Sequence, residues 1–239
     1  MKVPYIHIEA VHNLSAPREI VPYMMKWFNP ASVVDIGCGL GTFLNVFKEH
    51  GVKEVLGLDG PWVDRTLLSK YLEESEFMEC NLEKPISMSK KYDLAISLEV
   101  AEHLSPASSD IFVSNLVSAG HLILFSAAIP YQGGQNHLNE QWPSYWKEKF
   151  AKHNYIFRDV IRPVFWNNPE VNWWYKQNMV LITPNDFSQL PQISENPLHP
   201  VIHPESYMEK MQAFYALSSG KSTPIHYAKL LMKSILKRG

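Results

Sequence analysis

The sequence predicts an α/β protein built on a doubly wound, mostly parallel sheet, with a helical extension at the C-terminal end. Three observations carry this. Short apolar stretches alternate with amphipathic ones over residues 16–127, and strands alternating with helices pair in parallel under helices on both faces. The first apolar stretch runs into a glycine-rich turn and then a helix. From Pro184 the character changes: proline is frequent up to Pro204, and two helical stretches follow. The expected organisation is an α/β domain over residues 1–183 and a helical extension over residues 184–239.

The elements follow in order. A helix is expected over 16–28, with Ser15 as N-cap and Ile20, Val21, Met24, Met25 and Phe28 on one side; Asn29-Pro30 ends it. Residues 32–36 read as a buried strand and 42–50 as a helix closed by Gly51. A strand at 54–59, a helix at 63–72 and a strand at 77–80 come next. A fourth strand at 92–98 leads into a helical turn at 99–104 and a helix at 109–119. The fifth strand, 121–127, opens into a polar loop at 130–141 and a helix at 143–153. Residues 155–161 and 178–183 are expected to close the sheet as a strand pair around a Trp-rich insertion at 163–175. The tryptophans clustered between Trp142 and Trp174 suit a lid or substrate pocket as well as ordinary core. In the extension, helices are expected near 205–217 and 224–237. The second carries Lys229, Lys233, Lys237 and Arg238 and is expected to pack on the domain or on a partner, a second copy included.

Bulk properties set bounds. With 46% hydrophobic and 19% charged residues among 239, the chain can build a packed core and is not disordered. A formal charge of -2 provides no global basic field, which argues against long nucleic acid as a partner. The two cysteines, Cys38 and Cys80, make neither a disulfide framework nor a Cys-rich metal site. Residues 1–10 lack a basic segment followed by an apolar one, and no apolar run reaches the roughly 18–20 residues of a membrane span. A reducing cytoplasm is the expected compartment.

The run Val33-Val34-Asp35-Ile36-Gly37-Cys38-Gly39-Leu40-Gly41 is a strand entering a Gly-x-Gly-x-Gly turn. The backbone must turn sharply and approach a ligand closely, which excludes side chains. Nicotinamide-binding folds also use glycine turns, but two details separate this one. The spacing is not Gly-x-Gly-x-x-Gly, and Asp35 precedes it, where a carboxylate repels a pyrophosphate but helps hold a cationic amino acid. S-adenosylmethionine (SAM), with its ammonium and sulfonium, has the right sign. Asp59, at the end of the second strand, stands where an acid receives ribose hydroxyls. Trp62 could lie against adenine or belong to the core. Asn81, after the third strand, could bond the adenine edge. The expected cofactor-binding set is Asp35, Gly37, Cys38, Gly39, Gly41, Thr42, Asp59, Gly60, Trp62, Asn81, Leu82 and Leu98.

Residues 33–104 resemble the class I SAM-dependent methyltransferases, a family with a Rossmann-like, seven-stranded sheet. Many members carry Asp at the position of Asn81; an amide keeps the acceptor oxygen. The strand ending Ser97-Leu98-Glu99 is similar to the family motif that finishes at the reaction centre. The stretch Phe125-Ser126-Ala127-Ala128-Ile129-Pro130 through Tyr145-Trp146, and more weakly Trp174-Tyr175-Lys176-Gln177-Asn178, resembles a bacterial subgroup associated with surface polysaccharides and related small molecules. The resemblance covers residues 12–183.

Glu99-Val100-Ala101-Glu102-His103 sets three ligand-type side chains at i, i+3 and i+4, one face of a helical turn. Two carboxylates and an imidazole suit Mg²⁺, Mn²⁺ or Zn²⁺, or else cap the following helix. The loop Gly133-Gly134-Gln135-Asn136-His137-Leu138-Asn139-Glu140-Gln141-Trp142 follows the fifth strand. Loops at the carboxyl ends of parallel strands converge on the ligand, so His137 is expected over the same crevice. The metal set would be Glu99, Glu102, His103 and His137; the catalytic set, His137, Glu99 and His103. This resembles the metal site of small-RNA 2′-O-methyltransferases, and the ubiquinone-biosynthesis O-methyltransferases share its first segment. Without a metal, His137 is the best general base. Gln132, Gln135, Asn139, Gln141 and Trp142 could contact a polar acceptor or simply hold the loop. The expected activity is O-methylation of a small polar, sugar-like or phosphorylated acceptor. The alternatives are RNA 2′-O-methylation and a non-catalytic SAM-binding subunit of a larger enzyme.

Overall fold

A computed structural model of the chain describes residues 5–9, 11–190 and 201–236. It falls into two compact units, Met1–Val201 and Ile202–Gly239. The first opens with α1 (Ser15–Phe28). Ser15 is its first residue rather than its cap, because the side chain of Asn13 accepts the Ser15 N–H at 2.9 Å. The helix closes at Asn29, which is left-handed and returns its N–H to Met25.

Strands β1 (Ser32–Ile36), β2 (Glu54–Asp59), β3 (Phe77–Glu79), β4 (Tyr92–Leu98), β5 (Gly120–Ser126), β6 (Tyr155–Arg158) and β7 (Val180–Pro184) form one sheet in the order β3-β2-β1-β4-β5-β7-β6. The first five run parallel; β7 is antiparallel to both of its neighbours. The helices between them are α2 (Thr42–Glu49), α3 (Arg65–Leu68), α4 (Ser109–Ala119), α5 (Pro143–Ala151), α6 (Arg162–Phe165) and α7 (Trp173–Asn178). This is the doubly wound, Rossmann-like sheet expected. The helix expected over 63–72 is only the single turn of α3, capped by Asp64, whose side chain accepts from Thr66 and Leu67.

Alternation along the strands builds two cores. Val33, Leu94, Ile96, Leu122 and Leu124 face Ile20, Met24, Leu44 and Phe47 on one side. Val34, Ile36, Ala95, Ile123 and Phe125 face Phe112, Leu116, Trp146 and Phe150 on the other. Trp146 therefore belongs to the core, edge-on to Phe125 at 5.6 Å between ring centroids. β1 and β4 are neighbours whose crossovers leave in opposite directions, and their carboxyl ends open the crevice that holds the site. The second unit contains α8 (Pro204–Ser218) and α9 (Pro224–Leu236); Lys237 and Arg238 lie outside the described residues.

Candidate active site

The glycine turn joins β1 to α2. Gly37, Gly39 and Gly41 have φ values of 91°, 52° and 80°. A Cβ on Gly37 would lie 2.4 Å from a Val100 methyl, and one on Gly41 2.6 Å from Leu72. Both the left-handed backbone and the lack of space therefore demand glycine. Gly37 and Cys38 donate to the Leu58 carbonyl at 2.7 and 3.1 Å, locking the turn to the end of β2. There Asp59 is buried, and its carboxylate accepts the N–H groups of Gly39 at 2.8 Å and Gly60 at 2.7 Å. Burial, reinforced by Asp59, pushes the Asp35 carboxyl well above the usual carboxylate range. Burial also raises Asp59, against the N–H groups of Gly60 and Gly39 and the Trp62 indole, which favour its ionised form. The N–H groups that Asp59 accepts favour its charge, and a cationic ligand beside the turn would favour the ionised form of both carboxyls.

The other expected cofactor residues differ in their settings. Thr42 is buried at the start of α2, Leu82 is buried in the second core, and Leu98 ends β4 half-buried. The Trp62 ring lies over Gly60, 2.2 Å from where a Cβ would stand. Asn81 is exposed and its Oδ1 accepts the Glu83 N–H at 2.9 Å, so that oxygen closes a turn. Burial, then the nearby Asp59 and Asp35, raises the Cys38 thiol well above its usual range, making it an inert packing residue.

The reaction centre departs from the helical turn expected. Glu99 is left-handed at φ 55°, and only residues 101–103 form a 3₁₀ turn. Its strained backbone is held by Ser126, whose carbonyl and hydroxyl accept the Glu99 N–H at 3.1 and 3.0 Å. Glu99 and Glu102 consequently diverge in role. Glu99 accepts from Gln132 at 2.8 Å and from Asn178 at 3.1 Å. Asn178 and Gln177 also donate to the Gln132 side-chain oxygen at 2.8 and 3.2 Å. Burial pushes Glu99 up to about 7 against these bonds. Arg162 supports the network from behind: it forks onto Asp159 and reaches the Gln177 carbonyl at 3.4 Å.

Glu102 instead joins the histidines. Ligand atoms of Glu102, His103 and His137 all lie within 4.8 Å of one another, and Glu99 is not in that group. Of the four residues expected together, the structure brings Glu102, His103 and His137 close, while the Glu99 carboxylate bonds Gln132 and Asn178. Neither carboxylate oxygen of the fully buried Glu102 has a hydrogen-bond partner, nor does Nδ1 of His103. Burial, then Glu99, raises Glu102 well above its usual range, while burial and His137 push His103 down to about 4.

The loop after β5 is tied to this segment through the Glu102 carbonyl, which accepts the N–H groups of Leu138 at 2.7 Å and Asn139 at 3.0 Å. His137 Nδ1 bonds Glu140 at 2.8 Å, and Glu140 also accepts from Gly133 and Tyr131. With Nδ1 carrying the proton toward Glu140, Nε2 presents a lone pair. Asn139 and Gln141 hold the loop, bonding Ser109 and each other at 3.0 Å.

The N-terminal segment forms a roof that sequence reasoning did not foresee. The Tyr5 ring packs edge-on against His103, centroids 4.9 Å apart. His7 stands 3.0 Å from where a Gly39 Cβ would be, with His12 beside it. Burial raises the Tyr5 phenol, helped by Glu102, Glu99 and Asp59, so this ring overlooks both halves of the crevice. The legible signal was two histidines and a tyrosine close together ahead of α1.

A family model described as a methyltransferase domain matches residues 10–168. The chain belongs to the class I SAM-dependent methyltransferases. Solved structures share the fold. The methyltransferase domain of bacterial CtHen1 is 19% identical with a TM-score of 0.50, covering 72% of this chain and 100% of that one. Streptomyces venezuelae DesVI is 10% identical, TM-score 0.52, covering 72% and 91%. Magnesium protoporphyrin IX methyltransferase from Synechocystis, with bound SAH, is 15% identical, TM-score 0.51, covering 72% and 82%. No curated protein sequence matches the chain. In this methyltransferase the glycine turn has no room for side chains: a Cβ at Gly37 would meet Val100 and one at Gly39 the His7 ring. Among the described residues no helix is long and apolar enough to cross a membrane.

Proposed function

We propose that this methyltransferase transfers the SAM methyl group to an oxygen of a small polar acceptor, sugar-like or phosphorylated, bound between the glycine turn and the His137 loop. The observation that carries the reading is the convergence of Glu102, His103 and His137 within 4.8 Å. The acceptor oxygen forms its bond to the methyl carbon as the carbon–sulfur bond breaks; the electron pair stays on sulfur, and the hydroxyl proton passes to Nε2 of His137. Alignment of nucleophile and sulfonium does most of the work, because the reactive group comes with SAM. Glu140 fixes the tautomer and orientation of His137 through the 2.8 Å bond to Nδ1. The buried amides of Gln132, Gln177 and Asn178 hold Glu99 at the other wall.

The same three residues fit a divalent cation. A buried carboxylate and a ring nitrogen without partners are costly unless a ligand satisfies them. In place of proton transfer to His137, whose Nε2 would then be a ligand, Glu102, His103 and His137 would hold Mg²⁺, Mn²⁺ or Zn²⁺. Such an ion supplies a lowered pKa at a nearby hydroxyl. A surface-glycan or related biosynthetic setting rests on the sequence resemblance of residues 125–146.

The test is transfer of label from methyl-tritiated SAM to a panel of small hydroxylated compounds and, in parallel, to short RNA, with EDTA and with Mn²⁺ restored. The expected result is base-stable label on a small acceptor, lost in Glu102→Ala. Labelling of RNA alone would replace this reading with RNA 2′-O-methylation, and activity indifferent to EDTA would remove the cation.

A further inference from the structure

The second unit carries a feature that methyl transfer does not use. Helix α9 has no buried residue. Ile225, Ala228, Met232 and Ile235 recur along it at i, i+3, i+7 and i+10, one continuous stripe. Leu231 and Leu236 widen that stripe, and exposure of its large side chains runs from 59% at Met232 to 80% at Leu236. A second stripe beside it is polar and carries two lysines: His226, Lys229 and Lys233, at i, i+3 and i+7. The third side meets α8, where the Tyr227 hydroxyl bonds the carbonyls of Ala216 at 3.1 Å and Leu217 at 2.8 Å. The two helices thus brace each other and leave the apolar and cationic sides outward. On α8, Phe214 and Tyr215 are 64% and 60% exposed.

The charge is lopsided in the same place. Residues 204–239 hold six Lys and Arg against two Asp and Glu, while residues 1–203 hold 16 against 22. From residue 210 onward there is no carboxylate at all. We propose that α9 is an in-plane anchor that lies on an anionic lipid bilayer, its apolar stripe among the upper acyl chains and its lysines on the headgroups. An apolar face bordered by lysine, with amphipathic aromatics nearby, is the composition that lipid interfaces select. At 13 residues the helix is about 20 Å long, which suits lying on a membrane and is too short to span one. A second copy docking on the same face would set lysine stripe near lysine stripe, with no carboxylate after residue 209 to neutralise them. The inference stands on the second unit alone, independently of the acceptor.

The test is sedimentation of the full chain with vesicles of phosphatidylcholine alone or with about 30% phosphatidylglycerol, at low and high salt. The expected result is strong partition onto the anionic vesicles only, weakened by salt. Each juxtamembrane lysine contributes about fivefold, so Lys229→Gln with Lys233→Gln lowers partition about 30-fold. Ile235→Asp abolishes it. All variants keep SAH affinity, which separates lost anchoring from lost folding. Equal partition onto neutral vesicles, or none onto either, overturns the proposal. So does a concentration-dependent dimer that Ile235→Asp dissociates, which would assign the face to a second copy. Capture by polyglutamate without vesicle binding would assign it to an acidic protein.

Discussion

Replacing Gly37 by alanine tests whether the glycine turn is shaped by steric necessity. Two costs add. The residue sits at φ 91°, where an L side chain is strained by roughly 1–2 kcal/mol. The new methyl would stand 2.4 and 2.6 Å from the two Val100 methyls, an overlap of the overpacking kind, worth about 1–3 kcal/mol. Together they predict a loss of roughly 2–5 kcal/mol, which lowers the melting temperature of a domain this size by about 5–15 °C. Adding Val100→Ala removes the overlapped atoms but not the backbone strain. The double variant should therefore be more stable than the sum of its parts by at least about 1 kcal/mol. Thermal unfolding with and without SAH measures both quantities, and SAH should stabilise Gly37→Ala less than wild type. A Gly37→Ala protein melting within a degree or two of wild type, or strict additivity with Val100→Ala, would refute the reasoning.

Further consequences concern the reaction centre. Glu99 holds its proton up to about pH 7 where the unfolded chain releases it near 4.5, so the native state binds more protons between those values and stability falls as pH rises through them. Urea unfolding should show a loss from pH 5 to 8 to which Glu99 contributes up to about 3 kcal/mol and which Glu99→Gln reduces without abolishing, because the raised Glu102, Asp35 and Asp59 act in the same direction; a flat profile in wild type would contradict the burial of these carboxyls. Glu140→Gln takes the charge from the acceptor of His137 Nδ1. It should lower turnover about 10–100-fold with SAH affinity unchanged, and unaltered turnover would deny Glu140 its orienting role. Arg162→Met leaves Asp159 buried and unpaired, so it should cost about 3–5 kcal/mol in chemical denaturation; a change under 1 kcal/mol would mean that the pair is not buried as described.

The sheet was the legible part. β1, β2 and β4 begin and end where the apolar runs do, because parallel strands buried on both faces read as continuous hydrophobic stretches. The helix over 63–72 was over-read: Asp64 caps Thr66 and Leu67, but only one turn forms before the chain turns toward β3. The glycine turn with Asp59 was legible because local sterics write it into residue type. Glu99 to His103 was legible as chemistry and not as geometry. Helical spacing put three side chains on one face, whereas the left-handed Glu99 sends its carboxylate toward Gln132 and Asn178, 33 and 79 residues away. Nothing local marks Gln177 and Asn178 as partners, and the cluster of Tyr5, His7 and His12 shows ligand-type residues but not what they cover, since these contacts are made only by the completed fold.

The proposed methyl transfer needs two separate places: a cofactor cradle at the glycine turn and Asp59, and an acceptor wall at His137. Calorimetric titration of SAH into the wild type, Asp59→Ala and His137→Ala tests it most directly. The expected result is at least about tenfold weaker binding for Asp59→Ala, which loses a charge-assisted hydrogen bond, and affinity within about twofold of wild type for His137→Ala, whose methyl transfer is lost while the cofactor site stays intact. Equal weakening in the two variants, or full affinity in Asp59→Ala, would contradict it.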